Sequence, residues 1–147
     1  MFYVFLADGF EETEAIAPTD VMRRSKLDVQ TVGVTGIQVK SSHGVTVTAD
    51  VSINDITFDN LEGVVLPGGM PGTLNLEKNK KVLEYTKYCF NNGKIVAAIC
   101  AAPSILGHLG ILRGKSATCF PGFENELDCK EYTSAHTETD GLVVTAK

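Results

Sequence analysis

The sequence predicts an α/β fold: a three-layer sandwich with a mostly parallel sheet between helices. Three observations predict it. Short apolar runs alternate with helix-like stretches along the whole chain. Three of those runs are near-continuous rather than alternating, as in strands covered on both faces. The length, 147 residues, suits one domain with a single core spanning residues 1–147.

The elements follow in order. Phe2–Ala7, Asp28–Gly33, Gly63–Leu66, Lys94–Ala98 and Leu142–Thr145 read as strands. Val39 to Val51 alternates polar and apolar residues around Gly44, which predicts a small edge hairpin. Glu11–Ser25 contains Pro18, so the pattern predicts a short turn first and the main helix after it, with Pro18 near its start. Lys78–Asn91 places Val82, Thr86 and Cys89 on one stripe and stops at Asn92-Gly93. A further helix is expected over Pro103–Leu109, and a short strand over Lys115–Cys119.

Composition narrows the function classes. Hydrophobic residues make up 44% and charged residues 21%, the balance of a globular chain. No apolar run is long enough to span a bilayer, and the N-terminus reads as a first strand rather than a signal peptide. The net charge of −5 argues against nucleic acid or an anionic membrane as the main partner. The four cysteines form no C-x-x-C pair, and the three histidines are scattered, so no metal site is expected. Without an export signal the expected compartment is the cytoplasm, with reduced thiols.

The segment Lys94 to Pro103 carries the most chemistry. An apolar strand ends at Cys100, with Ala98 and Ala102 two residues to either side and Pro103 opening a helix. A nucleophile elbow needs such small neighbours, because the turn is tight. The thiol then lies at the carboxyl end of the sheet, where open α/β folds bind ligands. Amides at the start of the following helix are expected to lower the thiol pKa. A small buried hydrophobe at a strand end would show the same pattern without reactivity.

Two other loops complete the candidate site. Pro67-Gly68-Gly69-Met70-Pro71-Gly72 follows a buried strand. Its amides can hold an anion, although a plain tight turn explains the glycines equally well. It is not a P-loop, and neither is Gly114-Lys115-Ser116, where Leu109 stands at the first glycine position. In Glu11-Glu12-Thr13-Glu14, three acids open a helix as its dipole favours. Glu14 is followed by small and apolar residues and is expected to face inward.

Together these motifs resemble the ThiJ/PfpI superfamily, in the branch of the human parkinsonism-associated protein and its bacterial ThiJ-like relatives. The residues that carry the likeness are Asp8 to Glu14, Pro18 with Asp20 to Arg24, Leu66 to Gly69, and Ala97 to Pro103. The resemblance implies a flavodoxin-like fold, a homodimer, and no metal or organic cofactor. It implies that Cys100 is the reactive cysteine and that Glu14 contacts its sulfur. It further implies that Gly68, Gly69 and Ala101 supply backbone amides. The implied activities are glyoxalase- or deglycase-like chemistry on small reactive carbonyls. The alternative is oxidative-stress sensing or chaperone-like behaviour, with an oxidant acting on Cys100.

Departures from the family pattern matter. Ala101 stands where the peptidase-like branch has histidine, which removes the base a peptidase needs. Phe120 precedes Pro121 where this branch has histidine, and a phenyl ring cannot carry protons. Phe120, Pro121 and His43 are expected to line the site mouth, although an exposed loop position explains His43 as well. Family members continue past the strand matching Leu142–Thr145 into a long C-terminal helix. Lys147 ends this sequence, so truncation and a bare sheet face are expected. Of the other cysteines, Cys89 is expected in the core, Cys129 near the surface, and Cys119 facing away from the site.

Overall fold

The computed structural model describes residues 1–147. Eleven strands are arranged around four helices. The strands are β1 (Phe2–Leu6), β2 (Val29–Gly33), β3 (Gln38–Lys40), β4 (Thr46–Thr48), β5 (Val51–Ser52), β6 (Gly63–Leu66), β7 (Ile95–Ile99), β8 (Ser116–Ala117), β9 (Glu131–Tyr132), β10 (Thr137–Asp140) and β11 (Val143–Ala146). The helices are α1 (Glu12–Arg24), α2 (Gly72–Lys78), α3 (Lys80–Asn91) and α4 (Pro103–His108), with a 3₁₀ turn over Glu124–Glu126.

The central sheet runs β10-β11-β7-β6-β1-β2-β5. All its pairings are parallel except the β10–β11 edge. The predicted mostly parallel sandwich is therefore the observed one, and the five predicted strands fall on β1, β2, β6, β7 and β11 within a residue or so at each end. The predicted hairpin is β3–β4, which forms its own two-stranded sheet, while β5 joins the edge of the main one.

Strand parity divides the interior into two cores. Tyr3 and Phe5 of β1 join Val64, Val96, Val82 and Ile105 in a core of 23 buried residues under α2, α3 and α4. Phe2, Val4 and Leu6 join Phe10, Ala15 and Val65 in a core of only nine, so the α1 face is thinly covered. On that face Ile95, Ala97, Ile99, Val144 and Ala146 are only partly buried.

Two helix predictions need correction. Helix α1 runs unbroken through Pro18 from Glu12, where the sequence pattern predicts a turn before it. Proline removes one backbone donor, at a cost of about 3 kcal/mol in an isolated helix. Burial of Ala15 and Thr19 offsets that loss, and the Thr19 hydroxyl donates to the Ala15 carbonyl at 2.7 Å. The helix expected from Lys78 starts instead at Lys80, because the Asn79 side chain accepts from the Lys81 and Val82 amides. Ahead of it lies α2, which the sequence pattern did not reveal.

Candidate active site

Strand β7 delivers Cys100 to the carboxyl edge of the sheet. Its φ is +64°, the left-handed region that an L-residue with a side chain rarely adopts. The neighbouring chain holds it there: the Cys100 amide donates to the Ala146 carbonyl at 2.9 Å, and the Phe120 amide donates to the Cys100 carbonyl at 2.8 Å. The predicted elbow is thus present and strained, and the thiol is partly buried.

Glu14 reaches the sulfur from the first turn of α1. Glu11 caps that helix, its carboxylate accepting from the Glu14 amide at 2.7 Å. The Glu14 carboxylate accepts from the Gly68 amide at 2.9 Å and lies beside Cys100, close enough for the two groups to shift each other's pKa. Gly68 therefore holds Glu14, and it does not serve as the free oxyanion donor that was expected. Only glycine fits there: a Cβ would lie 2.6 Å from Cys100 Cβ and 2.7 Å from Glu14 Oε2. The amides of Gly69 and Ala101 lie near enough to the sulfur to favour its thiolate form. The Ser104 hydroxyl donates to the Ala101 carbonyl at 2.7 Å and steadies the peptide that follows the Ala101 amide. A serine one turn past the elbow was the only sequence signal for this.

The electrostatics correct a second expectation. Burial pushes the Glu14 carboxyl up, so it keeps a proton longer than an exposed acid. Burial, then the Glu14 charge and hydrogen bond, push the Cys100 thiol up to about 11, against the pull of the Ala101 and Gly69 amides. Helix α4 has only six residues and starts three residues later, so its dipole does not outweigh burial. When Glu14 carries the proton, its charge vanishes and its O–H becomes a donor to sulfur. The two groups thus share a proton and titrate as a pair.

The remaining predicted residues lie further out. Phe120 is half exposed and reaches Cys100 through its backbone, and Pro121 is exposed. His43 does not approach the sulfur. Its exposed ring sits 3.2 Å from the Glu12 carboxylate, at the head of α1. Glu11, Glu12 and His43 place ligand atoms within 4.8 Å of one another. Each already has a partner, since Glu11 caps the helix and Glu12 pairs with His43. Cys89 and Cys119 are fully buried and Cys129 is partly so. The cleft between α1, β2 and β4, about 330 Å³, is lined by Ile16, Arg23, Thr31 and Asp50, away from the thiol.

A strained cysteine, a carboxyl against its sulfur and two inward amides form a constellation that one family model covers from end to end. The DJ-1/PfpI family model matches residues 2–147. The chain belongs to the DJ-1/PfpI family. Protein DJ-1 homolog B of Arabidopsis thaliana is 37% identical over 145 residues, 97% of this chain and 33% of the relative. The chain thus spans about a third of that relative's length. A Pyrococcus abyssi protein named a deglycase is 34% identical over 125 residues, 84% of this chain and 74% of the relative. The crystal structure of Drosophila melanogaster DJ-1beta superposes with a TM-score of 0.93 at 33% identity, covering 99% of this chain and 80% of that one. The flavodoxin-like DJ-1 fold is therefore shared. No helix of this DJ-1/PfpI chain is long and apolar enough to cross a membrane.

Proposed function

We propose that this protein is a cofactor-independent catalyst of the glyoxalase or deglycase type, acting on small reactive carbonyls through Cys100 with Glu14. The supporting observation is the Glu14 carboxyl, held by the Gly68 amide beside a thiol on a strained elbow. An archaeal relative named a deglycase agrees with this reading.

Methylglyoxal illustrates the steps. Glu14 takes the thiol proton as sulfur attacks the aldehyde carbon, forming a carbon–sulfur bond and an oxyanion. The Gly69 and Ala101 amides hold that oxyanion. Glu14 returns the thiol proton to that oxygen, giving a hemithioacetal, and its freed carboxylate moves the proton of the former aldehyde carbon to the neighbouring carbonyl carbon while the hydroxyl proton passes to that carbon's oxygen, which leaves a lactoyl thioester. Water cleaves the thioester, releasing lactate and the free thiol. Ala101, where a peptidase of this kind would need a base, argues against peptide cleavage.

The test is steady-state conversion of methylglyoxal to lactate. Turnover that vanishes in Cys100→Ala supports the reading, and no turnover above that control overturns it. The second reading is a redox sensor. The polar groups around the sulfur, two amides and a carboxyl O–H, are also those a sulfinate needs. Mild peroxide that leaves Cys100 unmodified by mass spectrometry overturns that alternative. We place the protein in the cytoplasm as a homodimer. Exposed Ile16, Val21 and Leu27 on or just past α1, beside Val45 of the hairpin, support the dimer. A monomeric mass by light scattering would count against it.

A further inference from the structure

Helices α2 and α4 start three residues after Gly69 and two residues after Ala101, whose amides favour the Cys100 thiolate. The Thr73 amide and hydroxyl donate to the Gly69 carbonyl at 2.9 and 3.0 Å, tying the first turn of α2 to Gly69. The Ser104 hydroxyl does the same for Ala101 at the first turn of α4. The far ends of the two helices meet at a cluster outside the site. His108, the last residue of α4, lies with Nδ1 2.5 Å from Glu77 Oε1 of α2. Its Nε2 lies 2.8 Å from Glu126 Oε2 of the 3₁₀ turn.

A neutral imidazole has one N–H and can donate to only one carboxylate. Two carboxylate contacts, one at each ring nitrogen, require the imidazolium. The three residues border a cleft of about 270 Å³ whose walls also include Met70, Thr73 and Phe123. No lysine or arginine lines it. The titratable groups facing His108 are Glu77 from α2 and Glu126 from the 3₁₀ turn. The 3₁₀ turn is anchored to α4 independently: at Gly107 a Cβ would meet the Glu126 carbonyl at 2.0 Å, so the two backbones touch. The contact that crosses between separate units is therefore His108–Glu77.

We propose that His108 is a positioning residue: its imidazolium ties the ends of α2 and α4 together, sets the separation of the Gly69 and Ala101 amides at Cys100, and lets go as pH rises. The inference rests on reading Cys100 as the reacting thiol. Its two carboxylate partners raise the His108 pKa above the ordinary 6.5. A group raised on folding gives its full contribution below its ordinary value and loses it as pH rises through the raised one. Above that point the neutral ring faces two carboxylates with a single donor.

The experiment follows the full-length chain from about pH 5 to about pH 9 by NMR and amide hydrogen exchange. The His108 ring resonance is expected to titrate above 6.5. Exchange in residues 73–78, corrected for its intrinsic pH dependence, is expected to rise about threefold across the same midpoint, the value of a partly exposed ion pair. His108→Gln removes the step and leaves exchange fast throughout. Glu126→Gln keeps the Glu77 contact and moves the step to lower pH, a shift that a merely structural role would not produce. A His108 midpoint at or below 6.5, or a step that survives in His108→Gln, overturns the proposal. If methylglyoxal turnover is absent while these readouts hold, the proposed reaction fails and the clamp stands. If turnover is present while exchange stays flat, the reaction stands and the clamp fails.

Discussion

Two cysteines in this molecule reach the same thiol pKa by different routes. Cys89 lies on the buried stripe of α3 and is pushed up to about 11 by burial, with Lys94 pulling the other way. Cys100 is pushed to the same value by burial together with the Glu14 charge and hydrogen bond. Cys89 has no exposure and sits in a regular helix, whereas Cys100 is partly accessible on a left-handed backbone. The size of a shift therefore does not mark a reactive thiol. Under the proposed function the partners that produce it do, because a carboxyl can hand a proton back and forth and a hydrocarbon wall cannot.

The contrast can be broken most directly by removing each sulfur. Cys100→Ala is expected to lower methylglyoxal turnover by about 10³-fold or more, whereas Cys89→Ala leaves it within about twofold. Equal losses would erase the distinction. Next, Glu14→Gln is expected to cost about 10² to 10⁴ in turnover while Cys100 still reacts with iodoacetamide. The pH profile of that alkylation should also collapse from two coupled steps to one. Because burial raises the Glu14 pKa, ionising it costs folded stability. Denaturant melts should therefore show Glu14→Gln gaining on the wild type as pH rises through that value.

A smaller effect is expected at Gly68. The added methyl of Gly68→Ala meets both Cys100 and Glu14, and an ångström of displacement is expected to cost about 10² in turnover. Gly93→Ala serves as a control for strain away from the site, since its φ of +63° disfavours alanine while nothing lies within 4 Å of that Cβ. Activity in Gly68→Ala equal to that control would mean the pair tolerates displacement. The smallest effect belongs to Cys89→Ala, about 1 kcal/mol from the cavity it leaves, or about 2–4 °C in Tm by calorimetry.

The sheet was legible because strands buried on both faces must be apolar throughout, as β1 and β6 are. Three things were not legible, each for a physical reason. Pro18 signals a boundary locally, and only the packing of Ala15 and Thr19 carries α1 past it. Helix α2 holds Gly72, Thr73 and Asn75, weak helix formers that its contacts with neighbours override. β10, Thr-Glu-Thr-Asp, is polar because it is an edge, so hydrophobic pattern says nothing about it. At the site, Cys100 and Glu14 could be singled out from their small and apolar neighbours, and the resemblance added the contact between them. The 54-residue separation between Glu14 and Gly68 hid which amide holds the carboxylate. Nothing in the sequence linked His108 to Glu77 and Glu126, because that cluster exists only once three separate elements have packed.

The left-handed backbone at Cys100 also shapes what selection can do at this position. In a saturation library screened for folding alone, position 100 should drift to glycine or asparagine, which adopt positive φ at least cost. β-Branched residues should disappear first. The same library screened for turnover should return cysteine and nothing else. The gap in stability between the two winners, about 1 kcal/mol or more, is then a direct reading of what the lineage has given up to keep a sulfur at that corner.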